Sequence, residues 1–323
     1  MANKWLSADQ IVMQSLGLLQ RELVLPRFFW NATDYFAKRR PGRKDDTVNL
    51  PVPAMVKARD YEWRTRTAPI VVDEVEETTV PIRLNRHGYA AFALTDEEMT
   101  LDIATFGEQV TAPRVRAIGE QAEDWAAEAL RAAPWSKAIA WNVQTTEAYK
   151  FTTQLRRAFN DAKLPKSDRI VLIGSGVEEA VLNDDHLHRY DASGEASNFR
   201  DAIIGQIGGF TFAQVDSLEP GEVFAYHRSA MARVNLAPQV PDGVSYGAIQ
   251  SAYGMSMRFI RDYDTNFLRD RGVFSHFAGY SSVNDERELD ADGMPGEFTG
   301  KNMRGFKITT SGVPAAAAVA ASA

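Results

Sequence analysis

The sequence predicts an α+β fold, and three stretches carry that prediction. Between Thr95 and Pro134, residues Ile118, Ala122, Trp125 and Ala129 recur at i, i+4, i+7 and i+11, the period of one apolar helix face. From Thr47 to Leu94, Pro51, Pro53, Pro69 and Pro81 break any helix, while Val71, Val72, Val75, Thr78, Thr79, Val80 and Ile82 favour strand. From about 141 to 235 a helix, a short apolar strand and glycine-punctuated strands follow one another. With 323 residues, 45% of them hydrophobic, the chain can bury a substantial core and hold two or three substructures.

Residues 1–44 read as a helix followed by a basic arm. Ser7 is placed to cap, Asp9 favours the first turn, and Ile11, Val12, Leu16, Leu19 and Leu23 keep helical spacing until Pro26 stops it. The arm carries Phe28, Phe29, Trp30, Tyr35 and Phe36 before the cluster Lys38, Arg39, Arg40, Arg43 and Lys44. Two readings stand: a solvated basic loop after a core helix, or an arm whose exposed aromatics dock on a neighbouring subunit.

Residues 45–94 read as a long two-stranded excursion, because so much extended chain exceeds an ordinary loop, and the alternation places both strands within TRTAPIVVDEVEETTVPIRL, residues 65–84. Asp73, Glu74, Glu76 and Glu77 give it an acidic block. A lone hairpin is marginal and needs a surface to lie against. The helix of 95–134 opens with Thr95 and Glu98, spaced as a capping box. Arg116, Glu120, Glu123, Asp124 and Glu128 are assigned to its polar side. Pro113 either kinks it or restarts it with Thr111 as cap; unbroken from Met99 to Ala132, it spans about 50 Å.

In 135–243, Phe151, Leu155, Ala158 and Phe159 mark a buried helix face, and RIVLIGSG is a buried strand running into glycines. Gly205, Gly208 and Gly209 indicate turns in a strand pair. Residues 244–283 read as strands, with Met255, Met257 and Phe259 alternating with Ser256, Arg258 and Ile260. Residues 284–323 are polar and Gly-rich, then small, and are expected to be a tail ordered only on a surface.

Composition and motifs argue against most chemistry. A net charge of −7 is unlike a protein that grips nucleic acid over its whole surface. The absence of cysteine excludes disulfides and thiolate chemistry. No apolar run reaches a membrane span and no signal peptide is visible, so the expectation is a soluble, intracellular product with no membrane partner. Around Gly174 and Gly176 the strand-glycine-helix order is that of a phosphate cradle, but Glu179 replaces the third glycine and Glu178 adds a second negative charge. Asp184, Asp185, His186 and His188 fall in a polar loop without the fixed ligands that a metal needs. His87, His227 and His276 stand alone. Catalytic, cofactor and metal residues are therefore assigned as none, and no enzyme is expected.

The order of parts resembles the tailed-phage major capsid (coat) protein family, the Hong Kong 97 phage type of fold. LRRAFNDAKLPKSDRIVLIGSGVEEAVLNDD looks like that family's helix, proline turn and strand, and FRDAIIGQIGGFTFAQVDSL continues it. GMSMRFIRDYDTNFLRDRGVFSHFAGYSSV looks like the closing strands in coat proteins of short-tailed Salmonella-type phages. The resemblance implies an N-terminal arm (1–44), an extended loop reaching onto a neighbour (45–94) and a peripheral domain with its spine helix (95–134). It further implies an axial domain (135–243) and return strands (244–283), with 284–323 as an unassigned tail. The implied function is a virion protein that self-assembles as hexamers and pentamers into an icosahedral head around double-stranded DNA. A separate scaffolding protein for the procapsid, a portal and non-specific DNA contact at Lys38–Lys44 are implied, with a decoration protein left open. Synthesis would be in the host bacterial cytoplasm. Some members crosslink a loop lysine to a neighbour's asparagine; Lys57 is the loop's lysine, with no catalyst evident beside it. Two other readings are an encapsulin-type cellular compartment and a soluble α/β nucleotide-binding enzyme built on RIVLIGSG.

Overall fold

A computed structural model describes residues 8–37, 46–52, 58, 60–61, 63–64, 69–70, 72, 78–97, 107–183, 203–244, 246–252, 255–289 and 295–313. In chain order these form α1 (Ala8–Glu22), a 3-10 turn (Leu25–Phe28), β1 (Trp30–Asn31), α2 (Thr33–Ala37), β2 (Thr47–Val52), β3 (Thr78–Arg83) and β4 (Arg86–Thr95). A π-helical turn (Gly107–Thr111) leads into α3 (Ala112–Ala132), followed by β5 (Trp135–Asn142), α4 (Ala148–Asp161), β6 (Arg169–Ile173) and α5 (Ser175–Leu182). Then come β7 (Ile203–Ile207), β8 (Phe210–Gln214), β9 (Val223–His227), β10 (Met231–Leu236), β11 (Tyr246–Ala252), β12 (Met255–Asp264) and β13 (Arg269–Ser282). β14 (Arg287–Leu289), β15 (Pro295–Phe298) and β16 (Asn302–Ser311) complete the chain. The fold is α+β, as the sequence predicts.

Two larger sheets organise these elements. The first runs β1-β10-β13-β12-β11, with β4 also paired to β13. β13 is long enough to take β12 along Arg269–Ser275 and β10 along Phe277–Ser282, so β4 occupies its other edge. The second sheet runs β5-β16-β9-β6-β8-β7. β16 lies parallel to β5 and antiparallel to β9. β4 and β10 thus pair with β13 in the first sheet, although the sequence reading groups β4 with the extended loop and β10 with the α/β segment.

Helix α3 joins the two sheets. Its first half, through Val115, Ile118 and Ala122, packs with Val12 and Leu16 of α1 against Phe92, Met257, Phe259 and Phe274 of the first sheet. Its second half, through Ala126, Ala127 and Leu130, packs on Leu172, Phe224 and Tyr226 of the second. Small residues along this stripe let the helix backbone approach both sheets closely. The other face of the second sheet is covered by α4 and α5, where Phe151, Leu155, Phe159, Val177 and Val181 are buried. There Trp141 stacks on Phe151 with ring centroids 4.2 Å apart. Fully burying each of these large side chains contributes roughly 1.5–3 kcal/mol.

Four details of the sequence reading need correction. Helix α3 continues directly from the π-helical turn, with Pro113 in its first turn and Thr111 already in helical conformation, so the chain does not restart there. Thr111 stands at the cap position but its side chain makes no cap bond. The expected start of the helix, 98–106, lies outside the described residues. The buried face is rotated from the expected one: Glu123 is buried, while Trp125 and Ala129 are only half-buried. A helix gripped by two sheets presents a broader face than one stripe, and Trp125 falls at its margin beside the Arg86 guanidinium (5.8 Å). Trp125→Ala should therefore lower stability by about 1–2 kcal/mol, less than the 3–5 kcal/mol of a fully buried aromatic. Urea unfolding would check this, and a loss above about 4 kcal/mol would contradict it.

The arm's aromatics are not presented to a partner as a set. Phe29 is fully buried, edge-on to both Tyr226 (6.3 Å) and Tyr280 (6.0 Å). After the 3-10 turn of Leu25–Phe28 this ring packs between Tyr226 of the second sheet and Tyr280 of the first, and β1 adds to β10. Phe28 and Trp30 are half-buried, and Tyr35 is exposed. Finally, 284–323 is not simply a surface tail. Residues 302–311 form β16 inside the second sheet, with Phe306 and Ile308 buried and Lys307 and Thr309 exposed. That period-two alternation drives the strand into the core despite the polar chain before it.

Candidate assembly surface

The extended excursion is a two-stranded ladder at its base. Thr47 faces Arg83 at one end of the ladder and Val52 faces Thr78 at the other. One face of the base is anchored: Leu50, Val80 and Ile82 pack on Ala32, Ala232, Val234 and Val283. Asp46 and Arg83 pair at 2.7 Å where the strands leave the body, and that bond holds the Asp46 carboxyl below its usual range. Both side chains are half exposed or more, so the pair adds little stability. Beyond the base, large apolar side chains face solvent, with Trp63 66% and Val72 83% exposed, and Ile70 and Tyr61 beside them in sequence.

A second exposed apolar segment lies at the turn between β12 and β13. Phe267 and Leu268 are 68% and 63% exposed, and Leu268 holds a positive φ of 47°, a conformation that L-residues other than Asn, Asp and Gly adopt at a cost. The ribbon behind it is braced by cross-strand charge pairs: Arg261 with Asp270, Arg269 with Asp264 at 3.6 Å, and Arg271 with Asp262 at 3.6 Å. The Arg269 guanidinium also sits 4.7 Å over the Phe267 ring. The exposed apolar residues of these two segments are the candidate assembly surface.

The alternative sites resolve differently. The Gly174–Gly176 turn does open α5, but its cradle is filled by the protein itself. Gly174 N–H donates to Glu222 O (3.0 Å) and Val177 N–H to Pro220 O (3.2 Å). A methyl on Gly174 would overlap the Glu219 carbonyl, and one on Gly176 would crowd Val313. Phosphate oxygens would compete with backbone already in place, and the two glycines serve close packing. Burial, reinforced by Asp216, raises the Glu178 carboxyl, so the surroundings disfavour added negative charge.

Asp184, Asp185, His186 and His188 lie outside the described residues, as do Lys57, Lys38–Lys44 and the acidic residues 73–77. Among the described residues no three His, Asp or Glu side chains gather as a metal site. No helix among them is long and apolar enough to cross a membrane. His87 is exposed and its ring lies 4.5 Å from that of Phe277. His227 Nδ1 accepts the Ser229 N–H at the end of β9. His276 is buried against Trp125, with ring centroids 5.9 Å apart, and burial pushes it down to about 4.

Comparison with solved structures gives the same architecture. A structure from Mycobacterium phage Che8 matches with a TM-score of 0.58 and 14% identity, over 96% of this chain and 94% of that one. The capsid of cyanophage P-SCSP1u matches at 0.56 and 10% identity, over 96% and 92%. A virus-like particle from Pyrococcus furiosus matches at 0.50 and 8% identity, over 93% and 98%. No family model matches the chain, and no curated protein is similar to it. At these identities the likeness establishes the fold, which is the one found in tailed-phage capsids.

Proposed function

We propose that this chain is the major capsid protein of a tailed double-stranded DNA bacteriophage, assembling as hexamers and pentamers into an icosahedral head. The observation that carries the reading is end-to-end likeness: the matches cover 96% of this chain and more than nine-tenths of each of two phage chains. Two exposed apolar segments on one subunit fit a protein that repeats one contact head to tail and closes into rings. In this reading 1–44 is the arm, 45–94 the extended loop with its tip on a neighbour, and α3 of 95–134 the spine. The peripheral domain is the β13-centred sheet, so it takes in β4 and β10 as well as the return strands of 244–283. The axial domain of 135–243 gains β16 from the segment first read as a tail.

A separate scaffolding protein and a portal are the expected partners, with a decoration protein on the outside where particles carry one. The acidic chain suits a container that must release its genome, with DNA contact limited to local basic patches such as Lys38–Lys44. The product would be made in the host cytoplasm and reside in the virion head. Coat proteins of the short-tailed Salmonella-type phages are the proposed nearest kin on the strength of the closing-strand sequence.

The likeness to the Pyrococcus furiosus particle favours a second reading, a cellular compartment shell of the same fold. Sedimentation velocity with absorbance at two wavelengths separates the readings. Phage assembly predicts empty shells or capsomers from the chain alone and DNA-filled heads from infected cells. A compartment predicts shells loaded with a protein and no DNA. A 36 kDa species under all conditions, scaffold included, would contradict both.

A further inference from the structure

Glu123 lies on α3 where the N-terminal segment crosses it, and it is a buried charge that neither the packing nor the assembly surface uses. Its Oε1 accepts the N–H groups of Val24 and of Leu25, the latter at 2.9 Å, and Oε2 lies 3.2 Å from the same Leu25 nitrogen. These amides open the 3-10 turn that follows α1, so a carboxyl distant in sequence caps the turn. Among the described residues, the other charged or titratable groups around it are Arg27 of that turn, Asp216 of the loop after β8, and Tyr280 of β13, with Arg233 beyond Tyr280. Among the described residues none forms a salt bridge with it. Further out, α1 is held by its packing on α3 and β11 and by Gln250 Nε2 donating to Asp9 Oδ1 (2.8 Å).

We infer that Glu123 is a proton-operated latch for the N-terminal segment: neutral, it holds residues 8–28 on α3, and its ionisation loosens that hold. Burial has removed water from this carboxyl, and lifting the segment returns it. Burial raises its pKa to about 7, opposed by the Val24 and Leu25 N–H groups; Asp216 adds to the rise and Arg27 subtracts from it. Because this value lies above the ordinary one, the docked segment binds the proton more tightly than the lifted segment does. The hold is complete below the ordinary carboxyl range and is lost as pH rises through 7. The equilibrium constant for lifting then grows about tenfold from pH ~6 to pH ~8. His276, pushed down to about 4, stays neutral throughout that window. The inference rests on subunit geometry and is independent of the capsid reading.

The test is amide hydrogen exchange on the unassembled full chain, corrected for the intrinsic rate, across that pH window. In the unsubstituted protein, protection of residues 8–28 should fall about tenfold, while Glu123→Gln holds it flat at the acid-limb level. A flat profile in the unsubstituted protein, or the same slope in Glu123→Gln, overturns the latch. The carboxyl carbon of Glu123, followed by NMR in the unsubstituted protein, gives a reading that does not depend on a variant folding. A midpoint near 7 supports the latch, and one in the ordinary carboxyl range overturns it.

Discussion

Replacing residues 53–77 with an Asn-Gly turn should leave the subunit folded and abolish its assembly. Val52 and Thr78 are directly paired, so a two-residue turn closes the ladder without disturbing its register. The buried base, with Leu50, Val80 and Ile82, remains in place. The described residues that are removed include Trp63, Ile70 and Val72, whose side chains are exposed. Stability should change by less than about 1 kcal/mol, because a shorter loop loses little closure entropy. Circular dichroism melting and particle yield together check the result. Shells at undiminished yield would remove the excursion from the interface, and unfolding of the subunit would mean that the tip supports its own chain.

Phe159→Ala should destabilise the α/β half by about 3–5 kcal/mol. The ring is fully buried, edge-on to Phe210 at 5.0 Å and tilted against Phe306 at 5.0 Å. It also lies 5.2 Å beneath the guanidinium of Arg169, a buried cation that donates to Pro165 O, Leu164 O and Asn160 Oδ1. Removing the ring opens a cavity beside that charge and releases β16 on one side. Phe159→Leu should recover roughly half of the loss by refilling the volume. A urea titration measures both, and a change under about 1 kcal/mol for the alanine variant would contradict the packing described.

The elements legible in the sequence were those whose signal is local. Helix α3 shows in its apolar period, β6 in RIVLI bounded by glycine, and β3 in Thr78, Thr79, Val80 and Ile82, whereas its partner β2 lies at 47–52, outside the stretch 65–84 in which the alternation places both strands. What the sequence withheld depends on partners distant along the chain. Glu123 looks like one more polar helix residue until Val24 and Leu25 bring their N–H groups to it. Phe29 looks like part of an arm until Tyr226 and Tyr280 close around it. β16 carried a readable alternation at Phe306 and Ile308, but the glycines and charges before it masked a strand that finds its place only between β5 and β9. For the assembly surface, the excursion was visible and the apolar β12–β13 turn was not, because Phe267 and Leu268 lie within a stretch read only as strands and exposure depends on the fold around them. The Gly174–Gly176 turn shows the reverse case. Its motif suggested a ligand, and the three-dimensional contacts fill the same space with backbone.

Negative-stain electron microscopy of the full chain, expressed alone and with its scaffolding partner, tests the central claim most directly. The account predicts closed shells, or rings of five and six subunits, in at least the scaffolded sample. Their subunit outline should show the two sheets bridged by α3. Only dispersed particles of single-subunit size in both samples would contradict assembly, and with it the proposed role.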